Sequence, residues 1–301
     1  VPKLKEMGYK IDVETQLIAE SKDKLLDDIF LTLEKRTQAI LHFLKNETWD
    51  LFIGVFTETD RLHHFFWDSL ERNDPHFGTR FLDYYRKVDD SIGKIVEDLG
   101  DDVTLILLSD HGFCELKQEV YINYWLKTEG FLSFKTTAPK SLSDIAAGSK
   151  AYCLDPGRIY INMKGREPNG CVSPGSDYEQ LRNTLIAKLT ELRDPETKTT
   201  MIDKIHKSEE IYRGKYIDRA PDLVIEPKPG YDLKGAFSKE LLLSKGNFTG
   251  MHTYNDAFVY VSQKNIVKKS VEIIDVTATI LASLDIPIPA DMDGVNIVKW
   301  D

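Results

Sequence analysis

The sequence predicts an α/β protein with a mostly parallel central sheet, helices on both faces of that sheet, and a smaller α+β insertion. Two continuous apolar segments, 49–56 and 103–109, have the composition of strands that are buried on both faces. Each of them follows a segment with apolar residues at helical spacing, 25–44 and 77–99. Helices that alternate with buried strands are typical of a parallel sheet covered on both sides.

Each predicted helix has a single apolar stripe, in which successive apolar residues are mostly three or four positions apart. The first helix is expected to end near Asn46, and Gly100 stands where the second is expected to stop. These stripes predict amphipathic helices. They consist of Leu26, Ile29, Phe30, Leu33, Ile40, Leu41 and Leu44 in the first helix, and of Phe77, Phe81, Tyr84, Val88, Ile92, Ile95 and Leu99 in the second.

After residue 120 the alternation of amphipathic helices and apolar strands ends. A polar stretch rich in Ser, Thr and Lys at 133–150 predicts a loop, and the apolar segment 158–163 predicts a strand followed by a turn. Leucines at helical spacing between 181 and 192 predict one further helix. We therefore expect residues 121–220 to form a cap-like α+β subdomain that is inserted into the core.

Beyond this insertion, segments typical of the central sheet and its helices occur again. Apolar strands are expected at 222–227 and 257–262, and a helix is expected over Val276–Leu284. The core is therefore predicted to consist of residues 1–120 and 221–301, on either side of the insertion.

The composition is that of a globular protein and excludes several classes of function. Lys and Arg number 39 and Asp and Glu 49, which gives a net charge of −10, and no long basic segment interrupts this balance. Binding of duplex nucleic acid is therefore not expected. The longest apolar segments are too short to span a bilayer, and the first ten residues contain no stretch typical of a signal peptide. Three cysteines, an odd number, favour a reducing and therefore cytoplasmic location.

Acidic and imidazole side chains follow both predicted core strands. Asp60 and His64 come after the first strand, and Asp110 and His111 come directly after the second. Ligands of open α/β sheets bind beyond the carboxyl ends of the strands, so these side chains are expected at one edge of the sheet. If a helix begins near Asp60, His64 lies one turn further along the same face, whereas His63 points elsewhere.

A third candidate segment, GNFTGMHTYND, contains His252 just before the strand at 257–262. With the residues after the first two strands, it completes a set of two carboxylates and three imidazoles. Neutral imidazole and carboxylate oxygen suit zinc, and manganese or iron less selectively. Each pair taken singly also fits a structural role, as a helix N-terminal Asp beside an unrelated His or as an ordinary strand-to-turn exit. Their joint placement favours a metal site.

Seven segments in this order resemble one known family. They are TDRLHHFFWD, LLSDHGF, VYINYWL, GRIYINMKGREPNG, EEIYRGKYIDRAPDLVIEP, GMHTYND and IPADMDGVNI. On these segments the chain resembles the alkaline phosphatase superfamily. Within it, the chain is most similar to the type I phosphodiesterase/nucleotide pyrophosphatase family, in particular its prokaryotic phosphohydrolase/phosphomutase-like branch. The resemblance runs from about Gly8 to Ile297 and implies an alkaline phosphatase-like core.

The resemblance also implies a site with two divalent metal ions. It places Asp60, His64 and His252 around one ion and Asp110 and His111 on the other, with zinc as the expected metal and manganese as the alternative. In that family, a further Asp ligand and a Thr or Ser nucleophile lie N-terminal to all of these segments. We therefore expect this chain to be the larger part of a longer protein, with its catalytic nucleophile outside residues 1–301.

Two arginines of the insertion are candidate substrate-binding residues. Arg158 and Arg166 flank the predicted strand at 158–163. If the insertion covers the metal site, a guanidinium at either position could bind a substrate phosphate. The alternative is that both are solvated arginines on the surface of the insertion.

The leading hypothesis is a metal-dependent hydrolase of phosphodiester or pyrophosphate bonds that acts on a small phosphate ester, for example a nucleotide. In such an enzyme, bound cations activate the nucleophile and neutralise charge on the phosphoryl group. Two alternatives stay open. One is a phosphomutase or sulfatase-like enzyme of the same superfamily, and the other is a catalytically inactive binding module that keeps the fold.

Overall fold

The computed structural model of the chain describes residues 1–100, 102–262, 265–268 and 270–299. In chain order the α-helices of these residues are α1 (Pro2–Glu6), α2 (Lys22–Asn46), α3 (Glu58–Glu71), α4 (Phe77–Asp98), α5 (Ile122–Thr128), α6 (Ser176–Thr190), α7 (Ser208–Ile211) and α8 (Ile273–Ser283). Their strands are β1 (Ile106–Leu108), β2 (Gly112–Glu115), β3 (Gln118–Tyr121), β4 (Ala151–Leu154), β5 (Arg158–Ile161), β6 (Ile202–Lys207), β7 (Leu223–Pro227), β8 (Tyr231–Lys234), β9 (Leu243–Ser244), β10 (Gly250–Thr253) and β11 (Val259–Val261). Over the same ranges, no helix has both the length and the apolar composition that crossing a membrane requires.

The chain divides into two compact units. The first consists of Val1–Cys114 and His252–Asp301, and the second of Glu115–Met251. The predicted insertion, 121–220, lies within the second unit, and its role as a cap stays a prediction.

The first unit contains the two helices that the apolar stripes predict, and both are confirmed. Helix α2 begins after Ser21, whose hydroxyl accepts a hydrogen bond from the backbone N–H of Lys24 at 3.0 Å and so satisfies one free donor of the first turn. Helices α2, α3 and α4 pack against one another. Their contact surfaces include Ile29, Phe66 and Tyr84, none of which is exposed to solvent. The expected third helix of the core is α8.

The second unit has its own apolar core. A four-stranded sheet with strand order β4-β5-β7-β6 is antiparallel throughout. Helix α6 contributes Leu185 and Leu189 to the core of this unit, and both side chains are completely buried. A three-stranded sheet has the order β8-β3-β9. The strands expected at 158–163 and 222–227 are therefore present, as β5 and β7. Strand β7 was expected in the core beyond the insertion, but it pairs with β5 and β6 in this unit.

The prediction of a mostly parallel central sheet is not borne out. The described residues form several small sheets, and their strand pairs are mainly antiparallel. Strands β3 and β8 do pair in parallel, within the three-stranded sheet of the second unit. In the first unit, β1 pairs with β11 in antiparallel orientation, with Leu107 opposite Tyr260. The chain is α/β in content, as predicted, but its sheets have a different arrangement.

The two apolar segments from which the parallel sheet was predicted explain this difference. Residues 51–56 form neither helix nor strand, and Ile53 and Val55 are 71% and 61% exposed. The segment 103–109 contributes only the three residues of β1, which are partly exposed. A strand requires backbone hydrogen bonds to a neighbouring strand, and apolar composition by itself does not supply that neighbour. The prediction that 49–56 is a strand buried on both faces is therefore wrong.

Candidate metal centre

The first half of the candidate site lies on helix α3, in the first unit. The chain enters this helix at Thr57, and two acidic residues, Glu58 and Asp60, occupy its first turn, where the helix dipole favours negative charge. Asp60 and His64 are four residues apart, so their side chains lie on one face of the helix. Oδ1 of Asp60 is 3.4 Å from Nε2 of His64. This part of the site follows from local structure alone, as the spacing predicts.

The second half comes from strand β10, far away in sequence. Nε2 of His252 lies 2.9 Å from Oδ1 of Asp60 and 3.0 Å from Nε2 of His64. Asp60, His64 and His252 thus form a group of three potential metal-ligating side chains. The structure therefore brings together the three residues that the resemblance places around one ion.

Gly112 on strand β2 makes room for the segment that follows His252. A Cβ atom at this position would lie 2.6 Å from both the carbonyl oxygen of Asn255 and Oγ1 of Thr253, and 2.9 Å from Cβ of Asp256. Such distances are shorter than van der Waals contact, so no larger residue fits without movement of this segment. The absence of a side chain at residue 112 therefore helps to place His252 against α3.

His111 and Asp110 occupy the turn between β1 and β2, as expected. Nε2 of His111 is 3.9 Å from Oδ1 of Asp60, and the His111 ring stacks on the ring of His252 with 3.7 Å between centroids. Its other nitrogen, Nδ1, is 3.1 Å from the carbonyl oxygen of Gly112. A proton on Nδ1 would be donated to that carbonyl, which leaves Nε2 free to act as a ligand. Asp110 lies 3.5 Å from His111 Nε2, and its side chain is 79% exposed.

Phe113 forms an apolar surface beneath the imidazoles. Its ring contacts the rings of His64, His111 and His252, with centroid distances of 5.0, 5.4 and 5.0 Å. His63 contacts the same phenyl ring at 4.6 Å, from within an aromatic cluster. This apolar surface restricts the directions in which the imidazoles can turn.

His63 points away from the ligand group, as predicted. Its Nε2 is 2.7 Å from the hydroxyl of Tyr85, and its ring stacks on Phe81. Burial lowers the pKa of His63 to about 4, because the charged imidazolium loses its hydration there. His63 is therefore a neutral packing residue, although it adjoins His64 in sequence.

The site stabilises the ionised form of Asp60. Burial by itself raises the pKa of this carboxyl group, but hydrogen bonds and charge interactions with His252 and His64 outweigh that effect and hold its pKa well below the ordinary range. Asp60 is therefore a carboxylate at neutral pH. An ionised oxygen beside two imidazole nitrogens is a donor set that attracts a divalent cation.

The spacing of these donor atoms fits a small cation. Zinc binds nitrogen and oxygen ligands at about 2.0–2.2 Å in tetrahedral geometry, which places neighbouring ligand atoms about 3.3–3.6 Å apart. The observed separation of 3.4 Å between Asp60 and His64 lies in that range, whereas the separations of 2.9 and 3.0 Å from His252 to these two residues are shorter. Asp60, His64 and His252 are therefore the residues that could hold one ion, and Nε2 of His111 lies 3.9 Å from Oδ1 of Asp60.

Two hydroxyl groups that adjoin candidate ligands in sequence, those of Thr59 and Ser109, are hydrogen-bonded to the backbone. Oγ1 of Thr59 donates to the carbonyl oxygen of Phe56 at 2.9 Å. Oγ of Ser109 accepts a hydrogen bond from the backbone N–H of Phe258 at 3.1 Å. Neither contact favours a role as nucleophile.

Both arginines that were predicted to bind phosphate lie in the second unit. The guanidinium of Arg166 donates to both carboxylate oxygens of Asp222, at 2.9 and 2.6 Å, and Asp222 is almost completely buried. Arg158 donates to the carbonyl oxygen of Asp155 at 2.8 Å. The substrate-binding role of Arg158 and Arg166 stays a prediction.

Sequence reasoning did not find several residues that shape the site. Arg61 contacts Oδ2 of Asp60, and Asp12 contacts Arg61 in turn. Phe113 packs against the imidazole rings, and Gly112 leaves room for the segment that follows His252. The position of Arg61 directly after Asp60 in the segment TDRLHH is the sequence feature that could have indicated its role. Asp12 has none, because an exposed acidic residue 49 positions away from Arg61 has no distinguishing pattern.

A match to one known protein family covers most of the chain. The family model for type I phosphodiesterase/nucleotide pyrophosphatase matches residues 3–255, a range that includes all five candidate ligands. No curated protein and no solved structure matches the chain.

Proposed function

The chain belongs to the type I phosphodiesterase/nucleotide pyrophosphatase family of the alkaline phosphatase superfamily, and we propose that it forms the metal-binding part of a hydrolase of phosphodiester or pyrophosphate bonds. Members of this family use divalent metals and act on phosphate esters. The single observation that supports the proposal for this chain is the convergence of Asp60, His64 and His252 on one small volume.

We assign the side chains of the site as follows. Asp60, His64 and His252 hold one cation, and His111 with Asp110 contributes to a second, with zinc as the preferred metal and manganese as the alternative. When bound, such cations act as Lewis acids that neutralise charge on the phosphoryl group. Phe113 limits the access of water to the imidazoles from one side.

The resemblance implies that the nucleophile is a Thr or Ser. The backbone contacts of Thr59 and Ser109 do not favour either residue for that role. The substrate is a small phosphate ester, for which a nucleotide is one candidate. We also propose a cytoplasmic location, on the basis of the odd number of cysteines.

Metal analysis of the purified chain tests the metal centre. Plasma mass spectrometry is expected to find zinc or manganese in the unmodified protein, and His252→Ala is expected to reduce it strongly. His76→Ala is the matched control, because His76 also lies close to a single carboxylate, that of Asp23 at 2.6 Å, in the same unit. Equal metal content in His252→Ala and the unmodified chain would contradict the proposal.

Hydrolysis assays on the full-length gene product test the activity. Preference for bis-p-nitrophenyl phosphate over p-nitrophenyl phosphate is the expected result for a phosphodiesterase. Preference for the monoester would favour the phosphomutase-like or sulfatase-like alternative. A metal-loaded protein that hydrolyses neither compound would favour the binding module.

A further inference from the structure

The two oxygens of Asp60 have different partners. Oδ1 is directed at His252 and His64, at 2.9 and 3.4 Å. Oδ2 instead accepts a hydrogen bond from Nη1 of Arg61 at 2.7 Å. One oxygen is therefore available to a cation, and the other is held by a guanidinium group.

Arg61 is itself held in place from the opposite side. Its Nη2 donates to Oδ2 of Asp12 at 2.7 Å, and its Nε donates to Oδ1 of the same carboxylate at 3.2 Å. This two-point contact fixes the plane of the guanidinium as well as its position. Adjacent residues of a helix do not face each other, so Arg61 reaches Asp60 only because its side chain is turned and held in that direction.

The segment that contains Asp12 is anchored to the core of the first unit. Oδ1 of Asp12 accepts a hydrogen bond from the backbone N–H of Val13 at 2.8 Å, which orients the carboxylate. The neighbouring carbonyl of Ile11 accepts a hydrogen bond from Nη2 of the buried Arg36 at 3.0 Å. Asp12 is therefore a fixed acceptor for Arg61.

This contact does not serve mainly to stabilise the fold. The side chains of Arg61 and Asp12 are 28% and 43% exposed, and ion pairs at such positions add little to stability. The contact has a direct geometric effect on Asp60, however, because it engages one carboxylate oxygen and so fixes the direction in which the other faces the histidines. Groups that orient metal ligands commonly change metal affinity by about 10–100-fold when they are removed.

We infer that Asp12 and Arg61 form a positioning pair that restricts Asp60 to one-oxygen coordination and so favours zinc over manganese. This inference rests on the proposed function. A carboxylate whose second oxygen is engaged by Arg61 binds a cation through Oδ1, which suits a four-coordinate ion. If Oδ2 is released, Asp60 can offer both oxygens, and ions that prefer more oxygen ligands benefit from that change.

Charge and positioning lead to opposite expectations, which makes the inference testable. If Arg61 acted through its charge alone, Arg61→Gln would strengthen cation binding, Asp12→Asn would weaken it, and Arg61→Lys would leave it unchanged. If the pair positions Asp60, all three substitutions weaken zinc binding, because each of them breaks the two-point contact.

The experiment measures zinc and manganese affinity of the purified chain by chelator competition, together with the unfolding temperature of the metal-free protein. We expect zinc affinity to fall about 10–100-fold in Asp12→Asn, Arg61→Gln and Arg61→Lys. Manganese affinity is expected to fall less, and the unfolding temperature to stay nearly constant. In a variant that combines Asp12→Asn with Arg61→Gln, the loss of zinc affinity is expected to be smaller than the sum of the two single losses, because both substitutions break the same contact.

Arg80 provides the matched control. It contacts two carboxylates in the same unit, those of Asp23 and Asp27 at 3.2 and 2.5 Å, and its side chain is 26% exposed. Arg80→Lys and Arg80→Gln are expected to leave zinc affinity unchanged.

The possible results separate this inference from the proposed function. Unchanged zinc affinity in Arg61→Lys, or effects of opposite sign in Arg61→Gln and Asp12→Asn, would overturn the positioning pair while the metal centre stands. Equal losses for zinc and manganese would overturn its role in selectivity. A wild-type chain that binds neither metal would overturn the proposed function and this inference together.

Discussion

The Nε2 atoms of His64 and His252 lie 3.0 Å apart, although the two histidines are 188 positions apart along the chain. Oδ1 of Asp60 is within 2.9 Å of the second of these nitrogens. A single proton on Nε2 of His252 can be donated fully to Asp60 or to His64, but not to both, whereas a cation is attracted to all three atoms. This arrangement is the physical basis for the first two predictions below.

Two adjacent histidines are expected to have separate roles. His64→Ala should abolish the stabilisation of the protein by zinc, which amounts to about 2.7 kcal/mol at a free metal concentration 100 times the dissociation constant. His63→Ala should preserve that stabilisation but lower the stability of the metal-free protein by about 2 kcal/mol, because it removes a packed ring and its contact with Tyr85. Thermal unfolding with and without zinc measures both effects. Loss of the zinc effect in His63→Ala would contradict this division.

The space that Gly112 leaves for the segment after His252 is expected to be required for full metal affinity. In Gly112→Ala the added Cβ would lie 2.6 Å from the carbonyl oxygen of Asn255, so the segment after His252 must move. We expect zinc affinity to fall about tenfold or more, as for other changes that displace a ligand. Titration of the metal-free variant with zinc measures this loss.

Gly93 on helix α4 is the control for that substitution. No atom lies within 4 Å of a Cβ built at Gly93, and the position is in a helix interior. Gly93→Ala is therefore expected to raise stability by about 0.5–1 kcal/mol and to leave zinc affinity unchanged. Normal zinc binding by Gly112→Ala would show that the segment adjusts without displacing His252.

The buried ion pair between Arg36 and Glu58 is expected to give a pH-dependent stability difference. Nε of Arg36 is 2.6 Å from Oε1 of Glu58, whose side chain is completely buried. Burial raises the pKa of Glu58 even with Arg36 present. Arg36→Met would remove the compensating charge and raise that pKa further, at a cost of about 3–5 kcal/mol near neutral pH.

The sign of the pH effect follows from the direction of this pKa shift. A carboxyl group with a higher pKa in the folded than in the unfolded state binds more protons when folded, so stability decreases as pH rises above 4.5, its unfolded value. Urea unfolding of the metal-free protein should therefore show a smaller loss for Arg36→Met at pH 5 than at pH 8. The double variant Arg36→Met, Glu58→Gln should recover most of the difference. An equal loss at both pH values would contradict this account.

The two candidate substrate-binding arginines, Arg158 and Arg166, are expected to differ in their effect on stability. Arg166→Ala leaves the buried carboxylate of Asp222 without its guanidinium partner and should cost about 3 kcal/mol. Arg158→Ala removes one contact with a backbone carbonyl and should change stability by less than about 0.5 kcal/mol. Chemical denaturation of both variants measures the difference, and similar values for the two would show that the Arg166 contact is weak.

The elements that were predicted correctly are those with a local cause. Helices α2 and α4 follow from apolar residues three and four positions apart, and the placement of Asp60 and His64 on one face follows from a spacing of four. The segment 49–56 failed as a strand because its pairing depends on residues elsewhere in the chain. The parallel sheet was inferred from that segment together with 103–109, which forms only the three-residue strand β1, and that prediction failed for the same reason.

The amino-acid order by itself determined the amphipathic helices, the ligand types and the Asp60–His64 spacing, since each depends on residues within a few turns of one another. Tertiary structure decided that His252 meets these two side chains and that Gly112 leaves room for the segment after His252. It also decided that Asp12 holds Arg61, which binds the remaining oxygen of Asp60. Contacts between residues so far apart depend on how whole elements pack, and packing reflects the sum of many weak interactions that no short pattern contains.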